Sequence, residues 1–466
     1  MKYHLSKYAQ FVNLGEDNSF LLSLFNGAKV KMHPLVYNNI LKGQYDNTIT
    51  KECLDKNLLF ASLFGENEFV NKAIDEAERS LNNKAILYGV CLSYQCNLAC
   101  GYCYEKYIHS NKKVLNESDI DNIINIIKEL QTNHVSKEVV VVLFGGEPFM
   151  KTNSLILPYF FYKMRSLMNY FATKGISGKI TVFSNGLDML LFKTLIEDTK
   201  NDVDSYMLTL NGIQGYHNKY RPSLNGENSF QKTLESIDFL LKNKIKVNVR
   251  MDLDKDNMTN LTEVAMLIKE KRWHLDPIFR YYISPIRWLQ NKEKMLSEIE
   301  ILEYFISEDI RQSGLLKEVF SLGALRVLHN IVRLFSHSEM VPTFIPALYH
   351  CESVRGQQYV LGSDGYIYRC LVSIGKKEDA FGRYFPLLDF DKRKDNMWRL
   401  RKVINIQECL ECKYAFICGG GCAYSALKRK GSLMLPNCID IKQIFDKYID
   451  SLKRGININS YGFYYE

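Results

Sequence analysis

The chain has 466 residues, 46% of them hydrophobic and 24% charged, with a formal net charge of +8. That length exceeds one ordinary hydrophobic core, so two or three domains of a globular protein are expected. The lysines are scattered and form no basic run, which gives nucleic-acid binding no support beyond the sign of the charge. The most concentrated apolar run, Val139 to Phe144, falls far short of the ~20 residues of a membrane span.

Met1-Lys2-Tyr3-His4 opens into a polar, strand-like stretch with no signal segment. The 12 cysteines are tightly clustered, unlike a secreted disulfide framework. A cytoplasmic setting is expected, where thiolates stay available to metal.

Residues 1–85 contain no metal-ligand spacing. Gln10-Phe-Val-Asn-Leu14 and Phe20–Met32 read as short strands, with Asn26-Gly27 as a hairpin signal because both residue types tolerate positive φ. Helical periodicity follows at Leu35–Leu41 and Glu68–Leu81, making a small α+β module of winged-helix size.

Over 86–290, strand patterns alternate with helical ones. The strands are expected at Ile86–Leu92, Val139–Phe144, Lys179–Phe183, Tyr206–Leu210, Lys246–Leu253 and Ile278–Ser284. The helices between them are expected at Ser118–Leu130, Leu155–Ala172, Leu187–Thr199, Ser229–Asn243 and Leu261–Lys271. Repeated βα units imply an α/β domain with a parallel sheet and right-handed crossovers, open or curled into a partial barrel. Cys96 to Cys103 follows the first strand and Gly145-Gly146-Glu147-Pro148 the second, so both are expected at the C-terminal mouth of the sheet.

Residues 291–345 read as a helical bridge, 346–455 as a cysteine-rich domain organised by metal sites, and 456–466 as an aromatic tail. Turn signals in the cysteine-rich part stand at Gly362-Ser-Asp-Gly365 and Gly419-Gly-Gly421.

Ten of the 12 cysteines fall into two sets. Cys96-x3-Cys100-x2-Cys103 puts three thiolates on one loop, enough for three corners of a [4Fe–4S] cube with the fourth iron left open to a small molecule. An incomplete zinc site is the competing reading, and His109 is a poor fourth ligand for it. The second set is Cys351, Cys370, Cys409, Cys412, Cys418, Cys422 and Cys438; two zinc-knuckle-like sites are its competing reading. Cys53 and Cys91 belong to neither set and read as small buried hydrophobes.

The first triad, with Tyr102 before its last cysteine, resembles the signature of the radical S-adenosylmethionine (SAM) enzymes. Gly145-Gly146-Glu147-Pro148 resembles that family's motif for the methionyl amino group, and Ser184-Asn185 its polar motif after the third strand. Thr209-Leu-Asn-Gly212 with His217 to Pro222 resembles its fourth-strand segment, with Asn211 where many relatives carry Asp. Arg250 matches a position that often meets the SAM carboxylate. The resemblance implies a partial (β/α)6 barrel in which a reduced cluster splits SAM into methionine and a hydrogen-abstracting 5′-deoxyadenosyl radical, fed by an external flavodoxin- or ferredoxin-type donor.

The second set resembles the SPASM extension of radical SAM maturases. By that resemblance Cys409, Cys412, Cys418 and Cys438 hold one auxiliary [4Fe–4S] cluster completely. Cys351, Cys370 and Cys422 hold the other, with His350 the neighbouring residue that could complete it. Three [4Fe–4S] clusters and SAM are the implied cofactors. The N-terminal pattern resembles the leader-recognition element of peptide maturases, which binds a leader as an added strand.

These resemblances imply a maturase that cross-links side chains of a ribosomal precursor peptide, through carbon–carbon cyclophane rings first and thioethers next. An anaerobic sulfatase maturase forming formylglycine is the alternative; that family carries an Asp after the cysteine equivalent to Cys370, where this chain has Leu371. A non-catalytic electron-transfer protein is the third reading, and it would not need Glu147, Ser184 and Arg250 around an open iron.

Overall fold

The computed structural model describes residues 2–108, 111, 113–286, 293–335 and 345–462. Parts of the expected bridge, tail and the His109 position lie outside these residues. The chain forms two compact units, one from segments 1–81, 326–351 and 401–461, the other chiefly from 82–325 and 352–400.

In the first unit, β1 (Ala9–Val12), β2 (Phe20–Ser23) and β3 (Lys29–Lys31) make an antiparallel three-stranded sheet. Helices α1 (Pro34–Leu41), α2 (Asn47–Asp55) and α3 (Leu63–Asn82) follow it. Leu21, Val30, Ile40, Cys53 and Leu59 form the core of this module.

The Asn26-Gly27 signal does mark the β2–β3 connection, but not as a two-residue turn. Ser23 N–H donates to Ala28 O (2.9 Å), Gly27 N–H donates to Ser23 O (3.0 Å), and of the Asn-Gly pair only Gly27 has positive φ (75°). Helix α2 escaped the periodicity reading. It is set by Asp46, whose side chain accepts from Thr48 N and Ile49 N (3.0 Å each), a cap worth about 1 kcal/mol.

The same unit carries most of the second cysteine set. The rings of Tyr8 and Phe25 lie 5.3 and 4.8 Å from that of Phe416, both edge-on. The N-terminal module therefore packs directly on the segment that bears Cys418. Helices Arg326–Phe335 and Ile441–Lys453 meet through Phe335, Phe445 and Tyr448 in the same body.

The second unit is built on one sheet. Strands β4 (Ile86–Val90), β5 (Glu138–Leu143), β6 (Ser177–Ser184), β7 (Ser205–Thr209), β8 (Val247–Leu253) and β9 (Phe279–Pro285) pair in parallel in chain order. Strand β10 (Phe320–Ser321) continues past β9. At the other edge β11 (Gln358–Leu361) runs parallel to β4, and β12 (Tyr366–Tyr368) turns back antiparallel. Two short strands beyond β12 complete an 11-stranded, mostly parallel sheet.

Connecting helices cover the sheet. The α4 helix (Glu117–Thr132) starts at a reciprocal capping box between Asn116 and Asp119. It buries Ile120, Ile123, Ile127 and Leu130, spaced three or four apart, each contributing roughly 1.5–3 kcal/mol. The run Val139 to Leu143 is an inner strand flanked on both sides, which is why it reads as unbroken valine and leucine. Because these strands are parallel, the chain leaves each of them at one end of the sheet, and there the motif residues gather. No helix among the described residues is long and apolar enough to cross a membrane.

Candidate cluster and cofactor site

The loop after β4 carries Cys96, Cys100 and Cys103, and two segments brace it. Ala99 N–H donates to Pro222 O (2.9 Å) and Gly101 N–H to Tyr220 O (3.1 Å), stitching the loop to the turn after helix α5 (Gln214–Tyr220). On its other side the Gly145-Gly146 turn lies against the backbone of Ser93 to Gln95. A Cβ on Gly146 would sit 2.1 Å from Gln95 O, and one on Gly145 would sit 2.5 Å from Cys91 Sγ. Both glycines have positive φ (86° and 53°), so these positions demand glycine twice over. Gly146 N–H is held by the buried Glu105 carboxylate at 2.7 Å.

Glu147, 1% exposed, ties the end of β5 to the end of β6. Its Oε1 accepts from the Ser184 hydroxyl (2.8 Å) and Phe149 N–H (2.9 Å), and its Oε2 accepts from Asn185 N–H (2.6 Å). Burial raises its pKa to about 7, with these donors holding it back. The Asn185 amide donates to Asn97 Oδ1 (2.7 Å) and points at Cys96 Sγ (3.7 Å).

Asn211 is the hub of the opposite wall. It donates through Nδ2 to the Tyr102 hydroxyl (2.6 Å), accepts through Oδ1 from Asp252 N–H (2.9 Å), and its N–H donates to His217 Nδ1 (3.1 Å). Burial holds His217 neutral, and accepting at Nδ1 fixes its proton on Nε2. Arg221 Nη1 also donates to the Tyr102 hydroxyl, at 2.8 Å. The Asn211 amide and the Arg221 guanidinium thus both donate to the Tyr102 hydroxyl.

Glu147 and Ser184 follow or end adjacent strands, whereas Arg250 lies within β8, two strands from Ser184, because β7 intervenes. Its Nε stands 2.9 Å from Asp252 Oδ1, the next residue on the same face of the strand. Pro148 completes the turn between Glu147 and the buried Phe149.

The three thiols lie within electrostatic range of one another, and burial raises all three pKa values, that of Cys103 to about 12. Beside them the Asn97 Nδ2 and Arg221 Nε donors are buried without a partner among the described residues. A desolvated thiol trio next to unspent donors fits an anionic, sulfide-bearing cluster, whose irons would hold the thiolates ionised.

In the other unit, Cys409, Cys412, Cys418 and Cys438 likewise interact as a foursome, with burial raising Cys409 to about 11 and Cys418 to about 12. Gly419, Gly420 and Gly421 join Cys418 to Cys422, all with positive φ. A Cβ on Gly419 would meet Tyr349 O at 2.4 Å, and one on Gly421 would meet Asn437 O at 2.0 Å. The glycines thus draw the chain next to Cys351 and the chain next to Cys438 onto the Cys418–Cys422 turn. Cys370 lies in the second unit, after β12. Its neighbour Arg369 is fully buried, over the rings of Tyr359 and Phe381 and paired with Asp395.

No three His, Cys, Asp or Glu side chains among the described residues close tightly enough for a single ion. A four-iron cube spreads its thiolates wider than one ion does. Cys53 and Cys91 are buried in apolar clusters, as their isolation in the sequence suggested. Two buried arginines, Arg369 and Arg401, carried no signal beyond standing near cysteines.

Residues 90–268 match the Radical SAM superfamily. The chain is 23% identical over 198 residues to the cysteine-type anaerobic sulfatase-maturating enzyme of Clostridium novyi, covering 40% of this chain and 50% of that protein. It is 22% identical to the radical SAM cyclopropyl synthase TigE of Paramaledivibacter caminithermalis, covering 92% of this chain and 91% of that one. Streptococcus suis SuiB bound to S-adenosylmethionine shares the fold with a TM-score of 0.53 at 15% identity, over 94% of this chain and 99% of that one. Residues 90–268 are thus a radical SAM domain. Several of the relatives are maturases, and a [4Fe–4S] cluster with SAM is typical of radical SAM enzymes.

Proposed function

We propose that this enzyme matures a ribosomally made precursor peptide by hydrogen abstraction and side-chain cross-linking, forming a carbon–carbon cyclophane or, next in order, a thioether. The supporting observation is the three-stranded sheet and helices of residues 1–81, packed on the cysteine-bearing segment through Tyr8, Phe25 and Phe416. That module has the pattern of a leader-binding element, and an edge of its sheet can take an added strand. The likeness to TigE runs through 92% of the chain, and its name describes carbon ring closure. Leu371 after Cys370 counts against formylglycine chemistry, since the sulfatase maturases this chain resembles carry an Asp there.

SAM bound at an open iron supplies the hydrogen-abstracting group on one-electron reduction. The chain's own residues do the positioning. Cys96, Cys100 and Cys103 would hold three irons. The Glu147 carboxylate would meet the methionyl ammonium, and Arg250 the carboxylate, both as charge-assisted contacts. Ser184 and Asn185 hold Glu147 in place from the next strand. The cysteines from 351 to 438 would hold two auxiliary clusters that take up the electrons released in cross-linking.

The test is anaerobic reconstitution with dithionite, SAM and the short peptide encoded beside the gene. 5′-Deoxyadenosine together with a peptide lighter by two hydrogens per cross-link is expected. Formylglycine in a sulfatase-derived peptide would favour the sulfatase reading instead. Absence of 5′-deoxyadenosine would remove the SAM-cleaving role.

A further inference from the structure

Arg401 is 1% exposed and has no carboxylate partner among the described residues. Its Nη2 donates to the carbonyls of Gly420 and Leu435, at 3.1 Å each. A Cβ on Gly420 would stand 3.1 Å from its Nη1. The guanidinium is thereby pressed against the turn that joins Cys418 to Cys422. Its Nε is buried with no partner among the described residues. The groups that act on its charge are thiols from both auxiliary sets: Cys351 and Cys422 of one, Cys409 and Cys418 of the other.

A desolvated cation costs several kcal/mol unless charge answers it nearby. Two carbonyl oxygens supply only dipoles. An ionised thiolate–cluster assembly would supply the missing negative charge, and its sulfur could accept the spare N–H. Arginine suits the place because it stays charged in a dry interior where lysine readily loses its proton.

We propose that Arg401 is a fixed positive charge shared by the two auxiliary clusters, raising the reduction potential of both and so easing electron uptake. This rests on the auxiliary-cluster part of the proposed function. Reduction adds one negative charge to a cluster. A nearby buried cation stabilises the reduced form more than the oxidised one, and hydrogen bonds to sulfur act in the same direction. Arg401 is therefore a positioning and tuning residue: it touches no substrate.

The test uses the full chain with Cys96, Cys100 and Cys103 replaced by Ala, so that only auxiliary signals remain. EPR-monitored redox titration and iron analysis are then compared for Arg401, Arg401→Gln and Arg401→Lys. With iron retained, Arg401→Gln should lower both auxiliary midpoints by about 59 mV, a tenfold drop in reduced cluster at fixed potential, and a shift in one alone would overturn the shared role. Arg401→Lys should recover part of that shift. Unchanged midpoints in an iron-replete Arg401→Gln protein would overturn the proposal. Should Arg401→Gln fail to load iron, Arg401→Lys decides: loading would show that the charge is what matters, and failure would show that the guanidinium only ties the two carbonyls. A parent without auxiliary signals would instead remove the auxiliary clusters themselves, and the role of Arg401 with them.

Discussion

The Ser184 hydroxyl donates to Glu147 Oε1 at 2.8 Å, joining the ends of two neighbouring strands through a carboxylate that has lost nearly all its water. Burial lifts Glu147 from 4.5 to about 7. Holding it ionised in the cofactor-free protein costs about 3 kcal/mol at 1.36 kcal/mol per pH unit. The folded state binds the extra proton between the two pKa values, so this term weakens the cofactor-free protein as pH rises from about 4.5 to 7.

An ammonium beside Glu147 reverses that preference, so SAM binding should release a proton at pH below 7 and tighten as pH rises towards 7. Calorimetry in buffers of different ionisation enthalpy would count the proton. Glu147→Gln should weaken binding and flatten its pH profile. A profile equally steep in that variant would show that another group titrates.

Arg250 has its Nε 2.9 Å from Asp252 Oδ1, so it is oriented before any ligand arrives. Losing one charge-assisted contact of about 1.5–3 kcal/mol predicts that Arg250→Gln raises the SAM dissociation constant roughly 10- to 100-fold, with iron content unchanged. Loss of iron in that variant would mean that Arg250 supports the fold of the site more than the ligand.

The strand–helix alternation was legible because inner strands such as Val139 to Leu143 and stripes such as Ile120, Ile123 and Ile127 bury enough apolar surface to fix their own periodicity. Glu147, Ser184 and Asn185, singled out by their motifs, do meet one another, and the Asn185 amide points at Cys96. The grouping of residues 1–81 with 326–351 and 401–461 was not. It depends on contacts such as Phe25 with Phe416, nearly the whole chain apart, which leave no local pattern. Nor was the hub at Asn211 legible, since its three partners come from Tyr102, His217 and Asp252 on separate elements. Helix α2 hid because its charged and polar residues outnumber its two buried ones.

That packing bears on truncation. Removing residues 1–81 strips Tyr8 and Phe25 from Phe416, two residues before Cys418. Precursor modification should fall, and auxiliary iron should fall with it. Uncoupled SAM cleavage should persist, because the cysteine triad belongs to the other compact unit. Phe416→Ala alone should cost about 3–5 kcal/mol in stability of the unit that bears it. Full turnover of a complete precursor by the truncated enzyme would rule out a recognition role for the module.

Iron counting separates the cysteine sets. Three clusters predict roughly twelve irons per chain, and replacing Cys96, Cys100 and Cys103 with Ala should remove about four of them and abolish 5′-deoxyadenosine formation. Formation that persists would place SAM cleavage elsewhere.

The last prediction concerns the fourth ligand of the cluster assigned to Cys351, Cys370 and Cys422. The sequence Val341 to His350 holds no cysteine, and His350 adjoins Cys351. The His350 Nδ1 meets Cys418 O at 3.2 Å, and a carbonyl only accepts, so Nδ1 carries the proton. Arg326 Nη1 donates to His350 O at 2.8 Å, fixing the backbone of the same residue. That bond leaves Nε2 unprotonated and able to bind metal, so the case for an open iron rests on position: a ligand adjacent to Cys351 would have to bend sharply to reach a second iron. The fourth iron is therefore expected to be open to water or a substrate group. Added cyanide or a small thiol should perturb the reduced-state EPR signal of a variant lacking the SAM cluster, and His350→Ala should leave that signal nearly as it was. Imidazole ligation would instead raise the potential, as in Rieske centres. A spectrum insensitive to cyanide yet altered by His350→Ala would show that the histidine closes the site.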